Sequence, residues 1–110
     1  MEREKIEVLK QAPMSEVTAN IAIILEALKD DTFQHTALQL LDQIPTESTP
    51  FIEEGLLSQD NELKQVLLEK VVPKLPFYSK IVVANAVEHI AMASGDLQQL
   101  AKDALKSFEP

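Results

Sequence analysis

The sequence predicts an all-α protein: a right-handed α-α superhelix, or α-solenoid, of about three helical hairpins with an N-terminal capping helix. Three observations lead there. First, the stretch KDDTFQHTALQLLDQI at 29–44 returns in degraded form at 57–75 and again at 93–108. Phe33, Leu63 and Leu97 then stand 30 and 34 residues apart, within the period range of helical repeats. At this register Leu40/Leu41 align with Lys70/Val71 and Ala104/Leu105, and Thr36/Ala37 align with Val66/Leu67 and Leu100/Ala101, so only Lys70 breaks the apolar pattern. Second, apolar residues recur at helical spacing and no stretch alternates as a half-buried strand would. Third, helix-start and helix-stop residues punctuate the chain at short intervals.

Taken in order, residues 2–11 suit a short capping helix, with Ile6 and Leu9 on one side and Pro13 as its stop. Ser15 is placed to cap a helix over 16–29, in which Val17, Ile21, Ile24, Leu25 and Leu28 form one stripe and Ile23 lies off it. Asp31 followed by Gln34 has the spacing of a capping box for a helix over 32–43, which buries Phe33, Ala37, Leu40, Leu41 and Ile44 and stops at Pro45. Residues 46–50 read as a loop, and Thr49-Pro50 as N-cap and first turn of a short helix over 50–57 weakened by Gly55. Asp60 or Asn61 starts a helix over 62–72, with Pro73 and Pro76 bracketing its exit.

Over 77–93 the apolar residues Ile81, Val82, Val83, Ala84, Ala86, Val87, Ile90 and Ala91 cover most of the helix circumference, which predicts the most buried element. Ser94-Gly95-Asp96 turns the chain, Asp96 and Gln99 repeat the capping spacing, and a last helix covers 97–108. The hairpins are therefore 16–43, 50–72 and 77–108 in one domain spanning 1–110. If they stack, the second helix of each needs an apolar flank except where the stack ends. Leu38, Leu68 and Lys102 occupy that flank, and Asp42, Val72 and Lys106 the next slot outward. Leucine, leucine, lysine is what a stack ending at the third hairpin requires.

A chain of 110 residues, 45% hydrophobic, can bury a core without staples. It has no cysteine, so disulfides, thiolate metal sites and a cysteine nucleophile are excluded. Its net charge is −8 with dispersed basic residues and Arg3 as the sole arginine, which argues against nucleic acid or an anionic membrane surface as partner. The N-terminus lacks the apolar run of a signal peptide and no segment is long enough to span a bilayer, so the expected location is cytoplasmic.

Acidic or Asn turns (Asp30-Asp31, Asp60-Asn61, Gly95-Asp96) are each followed by an aliphatic or aromatic residue and then, three and four residues on, by a small-apolar pair. In these features residues 16–108 resemble the HEAT and armadillo-like α-helical repeat class, including its short bacterial HEAT-like form. The repeats depart from that class in lacking its early proline and in carrying Gln34, Lys64 and Gln98 where an arginine is common. The resemblance implies a scaffold that binds another protein through the inner surface of its second helices.

On those helices the outward polar row is His35, Gln39 and Asp42, then Gln65 and Glu69, then Gln99, Asp103 and Lys106. As a partner-binding surface it would track an extended protein segment, and an acidic surface favours a basic one. The plainer reading is a solvated face. A reading from another class makes the chain a lyase-like HEAT enzyme or enzyme accessory that uses Tyr78, Glu88 and His89, since Glu and His can exchange protons with a substrate. These residues, with Asn85, also fit a solvent-facing stripe. A third reading is a structural helical domain that dimerises through Ile23 or Val72. No histidine or acidic spacing matches a metal site, so neither metal nor cofactor is expected, and the chain is expected to be a monomer or weak homodimer. The TESTP stretch at 46–50 offers a modification or docking loop, though an ordinary linker explains it as well.

Overall fold

The computed structural model describes residues 5–108. Among the described residues the chain forms eight α-helices and no strand, as the periodicity predicts. Helix α1 (Lys5–Leu9) buries Ile6 and Leu9 against α3 and α4. Residues 2–4 of the expected capping helix lie outside the described residues. The expected single helix over 16–29 is two helices, α2 (Met14–Ala19) and α3 (Ile21–Ala27). They part at Asn20, whose backbone leaves helical geometry at φ −116° and ψ 25°. The Asn20 side-chain amide donates to the Glu16 carbonyl at 2.8 Å, the local competition with backbone bonding that makes Asn a poor interior helix residue. Pro13, not Ser15, precedes the first turn.

Helix α4 (Gln34–Gln43) starts later than the capping-box spacing predicts. Asp30, not Asp31, shapes the turn: its carboxylate accepts from Thr32 N at 2.9 Å and its carbonyl from Gln34 N at 2.8 Å. Gln34 turns backward and donates from Nε2 to the Leu28 carbonyl at 2.9 Å. It thereby satisfies an open acceptor at the end of α3, which a capping box would not have done. The third hairpin repeats the device, with Gln98 Nε2 donating to the Ala91 carbonyl at 3.1 Å. There too the expected Asp96 cap is not formed, and Leu97 precedes α8 (Gln98–Lys106).

The largest departure is α5 (Pro45–Leu56), which absorbs the whole expected loop 46–50. Pro45 stops α4 and opens α5 in one corner, because a first-turn proline needs no amide hydrogen. Pro50 sits inside the helix and cannot donate to the Thr46 carbonyl. Packing offsets this loss: Ser48, Thr49, Ile52, Gly55 and Leu56 are all buried. The Thr49 hydroxyl reaches the Pro45 carbonyl at 2.5 Å and shares a 2.8 Å hydrogen bond with the buried Ser79 hydroxyl of α7 (Phe77–Met92).

Asp60 caps α6 (Asn61–Val66) by accepting from Leu63 N at 3.1 Å. The helix then widens into a π turn over Leu67–Val71 and tightens into a 3-10 turn over Val72–Lys74. The wider turn lets Leu67, Leu68, Val71 and Val72 all point into the core. Val72 is fully buried and offers no surface for dimerisation, whereas Ile23 is half-buried. Of the flank positions, Leu68 is buried, Leu38 packs at the core margin and Lys102 is exposed.

Helices α3 and α4, α5 and α6, and α7 and α8 pack as neighbours; α5 also packs on α7, and α8 on the π turn. The extents of 39 × 26 × 18 Å correspond to a slab about two helices thick. Lys29 Nζ to Asp60 Oδ2 at 2.6 Å and Lys70 Nζ to Gln34 Oε1 at 2.7 Å tie α3–α4 to α6 and its π turn, as the Thr49–Ser79 bond ties α5 to α7. Among the described residues every buried side-chain nitrogen and oxygen has a partner, and no helix is long and apolar enough to cross a membrane.

Gly55 is explained by close approach. A β-carbon there would stand 3.0 Å from Leu67 Cδ1 and 3.2 Å from Leu63 Cδ2. Gly55→Ala would gain about 1 kcal/mol in helix propensity but crowd two leucine side chains, a strain of about 1–3 kcal/mol. A net loss on the order of 1 kcal/mol is expected in urea unfolding.

Candidate functional site

The eight residues of the sequence-predicted row, His35, Gln39, Asp42, Gln65, Glu69, Gln99, Asp103 and Lys106, are all exposed. They lie on α4, on α6 with its π turn, and on α8. Part of the row is satisfied along its own helices: Gln65 donates to Glu69 at 3.2 Å, Gln99 to Asp103 at 3.0 Å, and Lys106 lies 3.6 Å from Asp103. Such i,i+4 and i,i+3 pairs are what a solvated helix face makes for itself.

A different surface stands out on α7. The apolar wrap that predicted the most buried element divides into two faces. Ser79, Val83, Ala86, Val87, Ile90 and Ala91 fill the core, while Phe77, Tyr78, Ile81 and Val82 are between 45% and 65% exposed and Met92 is 85% exposed. On a helical wheel Ile81 lies about 40° from Asn85. The stripe Tyr78, Asn85, Glu88, His89 therefore marked the exposed side, and Ile81 and Val82 belong to it. This is the surface that sequence reasoning missed, and the polar stripe was the signal that could have located it.

Helix α5 extends this face. Its N-terminal end meets that of α7 through a Thr46–Tyr78 hydroxyl hydrogen bond and the buried Thr49–Ser79 pair. Its C-terminal end, at Leu56 and Leu57, lines one cleft with His89 and Ile90 near the end of α7. The two helices therefore run in the same direction. That cleft, of about 520 Å³, lies between the 57–62 turn and the 93–98 turn and is half open to solvent. Leu57 at its mouth is 58% exposed.

The charges on the α5 and α7 faces have one sign. Helix α5 exposes Glu47 and Glu54, half-buries Glu53 and has no lysine or arginine; α7 exposes Glu88. The single α7 lysine, Lys80, is turned toward α8, where Nζ donates to the Ser107 carbonyl at 2.9 Å and stands 6.0 Å from the centre of the Phe108 ring.

The structure does not gather Tyr78, Glu88 and His89 into one cavity. All three are exposed, and of the three only His89 lines the cleft. Tyr78 lies eleven residues and about 16 Å along α7 from His89. Among the described residues no group of three His, Asp or Glu side chains is placed to hold a metal ion. Comparison with protein-family models, with curated proteins and with solved structures returned no match to this chain.

Proposed function

We propose that this chain is a noncatalytic protein-interaction module, an α-solenoid of three HEAT-like hairpins capped by α1, whose business is holding a partner protein. The observation that carries the reading is the gathering of Phe77, Tyr78, Ile81 and Val82 on the exposed side of one helix. Its opposite side fills the core. Scattered surface apolar residues need no explanation, but a contiguous row on one helix face is characteristic of binding sites. Pairing of the helices in sequence order, together with packing of α5 on α7 and α8 on the π turn, supports the stacked-hairpin arrangement. The second-helix row is the competing surface within the same function.

The test is affinity capture from source-cell lysate with quantitative mass spectrometry. It compares the wild type, an Ile81→Ser/Val82→Ser double variant, and a row variant with Gln39→Ala, Asp42→Ala, Gln65→Ala and Glu69→Ala. Loss of the captured protein in the first variant alone is expected. Loss in the row variant alone would move the site to the second helices. Capture of nothing beyond a heat-denatured control would overturn the module.

A further inference from the structure

We propose that the joint outer face of α5 and α7 is the docking site for a basic amphipathic helix of another protein. This rests on the interaction-module reading and adds the chemistry of the occupant. The apolar content is a strip rather than a point. Tyr78 on α7 meets Thr46 on α5, Val82 and Pro50 each stand one turn further along their own helix and are exposed, and the far ends of the two parallel helices share the cleft at Leu57 and His89. The exposed apolar residues of α7 run from Phe77 to Val82, and Leu57 supplies the apolar content at the cleft end beyond the polar Asn85 and His89. Tyr78 to His89 spans about 16 Å, roughly three helical turns, which suits a helix with an apolar residue at each end of a stripe spaced i, i+3 or i+4, and i+7.

The charges around the strip choose among occupants. Glu47, Glu54 and Glu88 are exposed, Glu53 is half-buried, and the α7 lysine, Lys80, is engaged at the end of α8 through the Ser107 carbonyl. The cleft adds Glu62 and Asp96 against Lys64 alone. A second copy of this face would set these carboxylates against like carboxylates with Lys64 of each cleft as the lone offsetting cation, so self-association is disfavoured. Phosphate backbones and anionic lipid are repelled for the same reason. Lysines and arginines flanking an aliphatic stripe would pair with the glutamates while the stripe covers Ile81 and Val82.

The experiment uses two labelled synthetic helical peptides that share one leucine stripe, one with lysine and one with glutamate on the polar side, read by fluorescence anisotropy against the full chain. The lysine peptide is expected to bind and the glutamate peptide not to. Glu47→Lys/Glu54→Lys/Glu88→Lys should weaken the lysine peptide by on the order of tenfold or more and admit the glutamate peptide. Asp42→Lys/Glu69→Lys/Asp103→Lys changes the net charge equally on the second helices and should leave binding within about twofold. Circular dichroism melts confirm that each variant is folded. Equal weakening by both sets would show bulk charge attraction and overturn the site. Absence of lysine-peptide binding would overturn the occupant, and if the Ile81→Ser/Val82→Ser variant still loses its captured protein, the module reading survives that failure. A concentration-dependent dimer in sedimentation, dissolved by the same double variant, would replace the partner helix with a second copy and overturn the proposal.

Discussion

Leu67→Ala is expected to destabilise the fold by about 3 kcal/mol, within the range of about 2–5 kcal/mol typical of buried leucines. Leu67 is fully buried, opens the π turn and lies against α5, with Cδ1 3.0 Å from where a Gly55 β-carbon would stand. Truncation removes its burial energy and leaves a cavity, because the turn that carries it packs on both α5 and α8 among the buried Leu63, Leu68 and Val71 and such a site collapses only in part. For a chain of this size the loss lowers the melting temperature by roughly 4 °C per kcal/mol, or about 12 °C. The same geometry predicts a coupling. Gly55→Ala is unfavourable in the wild type because Leu67 is in the way. In the Leu67→Ala background the tighter contact is gone and only the Leu63 side chain, with Cδ2 at 3.2 Å, has to give, so more of the helix-propensity gain of about 1 kcal/mol becomes visible. A double-mutant cycle by urea unfolding should show Gly55→Ala becoming less unfavourable in the Leu67→Ala background. Additive effects would mean that the two residues do not meet.

Asp60→Ala is expected to cost about 2 kcal/mol, because one carboxylate does two jobs. It caps α6 through Leu63 N and binds Lys29 Nζ at 2.6 Å, joining the end of α3 to the start of α6. Lys29 is 14% exposed and also lies 3.0 Å from Glu26. Asp60→Asn keeps a capping oxygen and loses the charge, so about half the cost is expected. The Lys29 ammonium, and then the Leu63 N–H, hold the Asp60 carboxyl below its ordinary value near 3.8, with burial opposing. The pair's hydrogen bonds, from Asp60 first and then Glu26, raise Lys29 above its ordinary 10.5, again against burial. A depressed carboxyl stabilises above its unfolded value and loses that contribution as pH falls through the folded one. A raised lysine stabilises below its unfolded value and loses its contribution as pH rises through the folded one. The pair's contribution should therefore be flat between about pH 4 and pH 10 and fade beyond both ends. Asp60→Asn should flatten the acid limb of the melting-temperature profile below about pH 4; an unchanged limb would show that Asp60 is not engaged in the folded state.

The chain's helical content, the order of its helices and most of its core were legible because they are local. Spacing alone marks Ile24, Leu28, Ala37, Leu40 and Leu41 as one-sided, and all are buried. A helix start at Asp60 or Asn61 was recognisable, and the structure makes Asp60 the cap because its partner, Leu63 N, is three residues away. The errors have a shared cause. TESTP carries every local sign of a loop, yet it is helical because Ser48, Thr49 and Ile52 find partners on α7 and in the core, which no local propensity records. The acidic turn residues suggested capping boxes, whereas Gln34 and Gln98 reach back to carbonyls at the ends of the preceding helices, a bond that exists only once both helices are placed.

The candidate surface shows the same division. The sequence by itself determined that 77–93 is a helix with a polar stripe, because period and composition belong to the segment. Which apolar residues of that helix the core takes, and which are left outside, depends on where α5 and α8 lie across it. Those helices cover the arc through Ser79, Val83 and Val87 and leave Tyr78, Ile81 and Val82 in solvent. Burial is a property of neighbours, and only the tertiary structure supplies them.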